Sequence, residues 1–326
     1  MKFKLDPTVV VILATLTLGL LLPISGRPAE IFDIVTKVGV FILFFGYGAR
    51  LSAAETKAGL VNWRLHLTIL LTTFVVFPLL ALPMSALPDG WLSDPVKIGL
   101  IFLCLVPSTV QMSITMTSLA GGNVPAAMVS ATASNLAGVV ITPLLAMLFI
   151  PGSNGGGIGF DQALGVAVQL LLPFILGQLS RFATAGFMAK HKSRLKYLDQ
   201  AVICLIIYGA FSDLRVSGSW RGLQLADLFI AVPLILALLA FVLWLTWNAG
   251  GWLGLPREDR IALLFCGTKK SLATGAPMAS VLFGGATVGL IVLPLMFYHQ
   301  AQLLAGSVIA GKLAEGSKRA ETEPQA

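Results

Sequence analysis

The sequence predicts an all-α polytopic membrane protein of ten transmembrane helices in two inverted five-helix repeats. Three observations carry that prediction: apolar runs of membrane-spanning length from one end to the other, basic residues crowded onto one side of those runs, and a pattern that occurs twice. Mean hydropathy is +0.88. Hydrophobic residues make up 56% of the 326 and charged residues only 11%, and about 20 apolar residues suffice for a helix to cross a bilayer. No polar stretch between the runs is long enough to fold alone, so no soluble domain is expected.

Taken between turn signals, the runs are Pro7–Leu22, Ile31–Arg50, Leu65–Leu87, Val96–Ala120, Pro125–Ile150, Gln162–Phe182, Tyr197–Val216, Leu225–Gly250, Arg260–Phe283 and Val288–Leu313. The opening "MKFKLDP" resembles the start of a signal peptide, but no small-residue cleavage site follows it. The first run is therefore expected to be a retained span. Between the fifth and sixth runs lies a flexible connector, "SNGGGIG", Ser153 to Gly159. The glycine pairs beginning at Gly121 and Gly284 read as tight turns that close the fourth and ninth runs.

The basic residues set the orientation, because Lys and Arg are held on the cytoplasmic side during insertion. Fifteen fall on one side, among them Lys2, Arg50, Arg64, Lys190, Arg257 and Lys312, and four on the other: Arg27, Lys97, Arg215 and Arg221. Lys37, Lys269 and Lys270 lie within spans. Both termini are thus expected in the cytoplasm, in a multi-pass protein of the plasma membrane, or of the inner membrane if the source is bacterial. The net charge of +7 does not point to nucleic acid, since the positive residues sit in short loops and not on one face. Cys104, Cys204 and Cys266 all fall in apolar runs, which argues against a disulfide framework.

The repeat decides the architecture. "KIGLIFLC" from Lys97 matches "RIALLFC" from Arg260, and the same offset carries "LAGGN" (Leu119–Asn123) onto "FGGA" (Phe283–Ala286). Earlier in each half "YGARL" answers "YGAFSDL", and "LGLLLPISG" answers "VQLLLPFILG". Residues 1–152 form the first five-span repeat, 160–314 the second and 315–326 a cytoplasmic tail. Five spans per half force the second half to enter the membrane inverted, as in secondary transporters whose substrates bind near the midplane. The repeat also marks a place. The fourth run is interrupted at "VPSTVQMS" (Val106–Ser113), where Pro107 lacks an N–H; the ninth is interrupted at "GTKKSL", which sets Lys270 under Pro107 and Ser271 under Ser108. Paired broken helices point to a binding site, and irregular backbone at that depth needs protein or a wet cavity to satisfy it. A lysine at the bilayer centre costs about 2.5–3.5 kcal/mol on insertion scales, so two in succession need a reason. Snorkelling is a weak one, because Lys269 lies about 13 Å of helix beyond Arg260.

At these residues the chain resembles the bile acid:sodium symporter superfamily (solute carrier family 10). The likeness is strongest to the divergent subgroup of bacterial homologues and the vertebrate sodium/bile acid cotransporter of the seven type. "FFGYGARLS", "GGNVPAAMVSATASNLAGVVITPLL", "CGTKKSLATGAPM" and "YHQAQLLAGS" occur in family order over nearly the full length. The resemblance implies a panel domain from spans 1, 2, 6 and 7 and a core domain from spans 3–5 and 8–10, with discontinuous spans 4 and 9 crossing in the core. It also implies alternating-access transport of organic anions. The better-known branch is driven by sodium, and here the chain departs from it. Ser113 keeps the family's serine, but Ile114 stands for its Asn, Ala127 for a hydroxyl, Phe265 for an acid, and Lys269 and Lys270 for a Gln–Asn pair. A hard cation wants several oxygens including a carboxylate, so no metal site and no cofactor are expected, with a proton or no coupling ion preferred to sodium.

No Asp or Glu lies mid-span in spans 3–5 or 8–10 to pair with the lysines; Asp227 is at an edge. Three roles remain open: a permanent replacement for sodium on backbone carbonyls, a contact for a substrate carboxylate, sulfonate or phosphate aided by helix N-termini, or a proton-coupling group. Alignment with the sodium-binding Gln gives Lys269 the ion-replacing or coupling role, with Ser113, His299 and Gln302. Lys270, with Ser271, Ser108, Thr109 and Gln111, is expected to bind substrate. For His299 the competing reading is a packed, hydrogen-bonded histidine; for Asn135, interhelical bonding; for Thr115 and Thr117, bonds to their own helix. Asp33 and Asp213 read as solvated span ends. The partners expected are a small or amphipathic organic anion and the lipid bilayer, with no nucleic acid, and oligomeric state is left open. Competing functions are a non-transporting regulatory protein, for instance in calcium handling, and a sodium-coupled bile-acid-type symporter. A hydrolase lacks HExxH, paired mid-span aspartates and Ser–His spacing, and a channel lacks charge rings and filter repeats.

Overall fold

The computed structural model describes residues 7–50, 62–88, 90–150, 160–222 and 224–322. Lys2, Lys4, Lys57, the connector Ser153–Gly159 and the last four residues lie outside them. Among the described residues thirteen α-helices follow in order: α1 Pro7–Leu21, α2 Arg27–Arg50, α3 Trp63–Ser85, α4 Asp94–Leu105, α5 Val110–Leu119, α6 Val124–Phe149, α7 Phe160–Leu179, α8 Arg181–Lys190, α9 Lys192–Val216, α10 Leu225–Trp252, α11 Arg257–Thr268, α12 Leu272–Leu282 and α13 Val288–Thr322. No strand occurs among the described residues. Each apolar run of the sequence falls on helix, the fourth on α4 and α5 and the ninth on α11 and α12.

Five of these helices are long and apolar enough to cross a membrane, and seven spans result if each strongly bent pair counts as one. One bent pair is α4 with α5, at 59°. The other joins α7 to α8 at 89° and departs from the single run Gln162–Phe182. The reason is local. Arg181 ends the apolar stretch, and α8 has no buried residue, with Phe182 94% exposed. The 24-residue α2 carries Glu30, Asp33 and Lys37 in its first half, which lowers its apolar character there.

α2 lies along α7, and α1 along α9. The first contact is backbone to backbone. A Cβ on Gly48 would fall 2.0 Å from Phe174 O, and one on Gly177 would fall 2.0 Å from Phe45 O, so only glycine fits at either place. A bidentate pair from Arg50 to Asp199, at 2.7 and 3.0 Å, ties α2 to α9. α13 packs along α4, α10 along α11, and α5 against α6 and α11. The glycine turns appear as expected, with positive φ at Gly121, Gly284 and Gly285. Asp227 lies at the start of α10, at the edge expected. It is only 1% exposed, because it accepts backbone N–H groups from Ser93 (2.6 Å) and Gln224 (2.8 Å).

Candidate functional site: two helix breaks that meet

Local sequence makes the first break. Pro107 supplies no N–H, and the backbone is extended at Val106 (ψ 153°) and Thr109 (ψ 137°), so α4 ends at Leu105 and α5 begins at Val110. The second break is extended at Lys269 (ψ 144°) and Ser271 (ψ 109°). There Ser271 caps α12 by accepting the Thr274 N–H at 3.1 Å. The two breaks are bonded to each other, with the Ser271 N–H donating to Pro107 O at 2.9 Å.

Every carbonyl from Cys104 to Ser108 finds a donor. Thr142 Oγ1 donates to Leu105 O at 2.9 Å, and Asn135 Nδ2 to Ser108 O at 2.5 Å. Cys104 O and Val106 O are taken by Lys270 Nζ at 3.0 and 2.8 Å. The third proton of that ammonium goes to Thr73 O in α3, at 3.2 Å. Thr73 O is available for a reason written in α3. Residues 72–76 form a π turn in which the Phe77 N–H bonds Thr72 O, and the next residue, Pro78, has no N–H to offer. Phe77 then places its ring 3.9 Å from the same Nζ. An ammonium has three donors, and all three are used.

On the second break hydroxyls do this work. Ser108 Oγ donates to Cys266 O at 2.7 Å, Ser113 Oγ to Phe265 O at 3.1 Å, and Tyr298 OH to Thr268 O at 2.6 Å. Gln302 pairs with the backbone of Lys270 on both sides, accepting its N–H at 2.8 Å and donating to its carbonyl at 2.8 Å. His299 Nδ1 lies 2.9 Å from Gln302 Nε2 and 3.4 Å from Lys270 O. Asn135 bridges the two breaks, accepting from Thr274 Oγ1 at 2.6 Å while holding Ser108 O.

Lys269 differs from its neighbour. Its Nζ makes one bond, to Gln302 O at 3.4 Å, and lies 5.6 Å from the Phe265 ring. Gly306 leaves room for it, since a Cβ there would sit 2.9 Å from Nζ. Lys269 is 1% exposed and Lys270 0%, so neither side chain snorkels to a surface.

The structure brings Lys269, Lys270, Ser271, Ser108, Thr109, Ser113, His299 and Gln302 into one buried cluster, with Thr109 Oγ1 3.4 Å from Ser113 Oγ. Gln111 is exposed, and no side-chain bond joins it to the cluster. Thr115 bonds its own helix as expected, at Gln111 O (2.9 Å), whereas Thr117 Oγ1 is buried without a partner. Sequence reasoning missed Thr73, Phe77, Thr142 and Tyr298. The signal for the first two was Pro78, a residue without an N–H inside an apolar run. A separate cleft of about 150 Å³ opens between α2, α9, α12 and α13, with Phe32, Asp33, Asp213 and Ser280 on its walls. None of the expected site residues lines it, and Asp33 is paired with Lys37 at 2.7 Å.

Apolar helices, two breaks bonded to each other and lysines buried at the junction are features of membrane transport proteins. The chain belongs to the SBF-like CPA transporter family, whose profile matches residues 6–315. It is 43% identical over 316 residues to protein PA2026 of Pseudomonas aeruginosa, covering 96% of this chain and 94% of that one. It is 36% identical over 321 residues to YfeH of Escherichia coli, whose name includes the word symporter, with 98% and 96% covered. To sodium/bile acid cotransporter 7 of Mus musculus it is 28% identical over 294 residues, with 88% and 85% covered.

Proposed function

We propose that the protein is a secondary active transporter of a small or amphipathic organic anion, working by alternating access without the two sodium ions of the better-known branch. In this reading ten spans form two inverted repeats with both termini cytoplasmic. α1, α2, α7 and α9 are the panel, and α3–α6 with α10–α13 are the core. The observation that carries it is the junction itself: two helix breaks joined by the bond from Ser271 to Pro107, with two buried lysine side chains and no carboxylate bonded to either. A structural or regulatory membrane protein has no use for a junction so costly to bury.

The geometry favours exchanging the roles that the resemblance gave the two lysines. Lys270 stands for the coupling ion, because its three protons are already spent on carbonyl oxygens. Lys269 has one long bond, which leaves its ammonium to meet a substrate anion, or to carry a proton, when the core opens. The test is thermal stabilisation of the purified protein by a panel of organic anions, with sodium and pH varied independently. Stabilisation by an anion regardless of sodium, lost in Lys269→Met, is the expected result. Anion binding that requires sodium would overturn the reading.

A further inference from the structure

We propose that the carbonyl oxygens of Thr73, Cys104 and Val106 form a monovalent-cation site whose resident ion is the chain's own Lys270 ammonium, and that removing the ammonium opens the site to a free monovalent cation. The inference deepens the reading of Lys270 given above and rests on it, but its test reads binding and not transport.

Each oxygen is freed by a separate feature of the sequence. Thr73 O is released by the π turn and by Pro78, as described. Cys104 O loses its helical partners because Pro107 has no N–H and the Ser108 N–H turns away to Ser134 Oγ at 3.1 Å. Val106 O lies in extended backbone beyond the end of α4. The oxygens come from α3, from the end of α4 and from the break beyond it, and converge on Nζ at 2.8 to 3.2 Å, with the Phe77 ring face closing another side at 3.9 Å. Two of them are terminal carbonyls at the negative end of the α4 dipole, which favours a cation.

The donor set also selects the charge. All the oxygens are neutral, and no carboxylate bonds Lys270. Divalent ions need several hard, preferably charged oxygens to give up their water. Carbonyl dipoles and a ring face suit a singly charged ion or an organic ammonium. The distances match an ammonium-sized ion, and a smaller ion would need the carbonyls to draw in.

The probe is the set of chloride salts of sodium, potassium, ammonium and methylammonium, compared with N-methylglucamine chloride at constant ionic strength. The readout is the melting temperature of detergent-purified Lys270→Ala. Expected is a lowered melting temperature that at least one of the small cations raises saturably by several degrees, with no such response in the unmodified protein. Adding Pro78→Ala should weaken that response, because the new N–H competes for Thr73 O, whereas a general salt effect would survive it. If Lys270→Ala does not fold, Lys270→Gln carries the same test, since its shorter neutral side chain leaves the ammonium position vacant. Melting temperatures of both variants that follow N-methylglucamine in every salt would overturn the proposal. So would a response that Pro78→Ala leaves unchanged. Failure here leaves anion transport standing, and an unmodified protein that binds no anion leaves a positive cation response standing.

Discussion

The two helix breaks are both short and extended at their ends, and they are held by different chemistry. At the break between α4 and α5, an ammonium and the hydroxyl of Thr142 cap the carbonyls at the end of α4. At the break between α11 and α12, the hydroxyls of Ser108, Ser113 and Tyr298 do so. The two arrangements are reciprocal: the second break supplies the lysine that caps the first, while Ser108 of the first and Ser113 of the helix after it cap the second. A buried carbonyl without a partner costs about 1–3 kcal/mol, so each break depends on the other for its shape. The lysines are equally buried and differently held: every proton of Lys270 has an oxygen waiting, whereas Lys269 has one long bond.

The comparison breaks first at Lys270. Lys270→Met strands three buried carbonyls at once and should lower stability by about 3 kcal/mol or more, read by thermal or denaturant unfolding in detergent. Gln302→Leu, which leaves the Lys270 N–H without its partner and its C=O with only the long contact to His299, should cost about 2 kcal/mol. The glycines beside the breaks sharpen the contrast. A Cβ at Gly138 would sit 2.6 Å from the Pro107 ring, and one at Gly275 would sit 2.5 Å from the end of Leu295. The ring cannot turn aside and the leucine can, so Gly138→Ala should cost about 1–3 kcal/mol and Gly275→Ala less. Ser108→Ala removes one cap of the second break and should cost about 1 kcal/mol in the same assay. Smallest is Lys269→Met, which exchanges a poorly bonded ammonium for an apolar side chain. Stability should stay level or rise by about 1 kcal/mol, while stabilisation by anions disappears.

Much of this was legible in the sequence. Apolar runs place the helices, Pro107 and the "TKKS" interruption place the breaks, and the internal repeat aligns one break with the other. The bile acid:sodium symporter likeness agrees with the family the chain belongs to. What stayed hidden is which oxygen meets which donor. Alignment gave Lys270 to substrate, yet its three oxygens come from α3 and α4, far away in the chain, and Thr73 O is freed only because a π turn shifts the register ahead of Pro78. The "YHQAQ" motif drew notice to His299 and Gln302 but not to Tyr298, whose hydroxyl holds Thr268 O. Hydroxyls such as Thr142 and Ser134 look like ordinary helix residues until the first break brings an orphan carbonyl to one and an orphan N–H to the other. The turn of α7 into α8 was also unread, because Arg181 alone does not say whether a helix stops or bends.

The central claim is that this transporter carries its own cation at the junction and therefore needs none from solution. Calorimetric titration of sodium chloride into the unmodified protein, against N-methylglucamine chloride, tests it most directly. The account predicts no saturable heat. A saturable sodium isotherm near one or two ions per chain would contradict it, because other oxygens would then be holding the ion that Lys270 is said to replace.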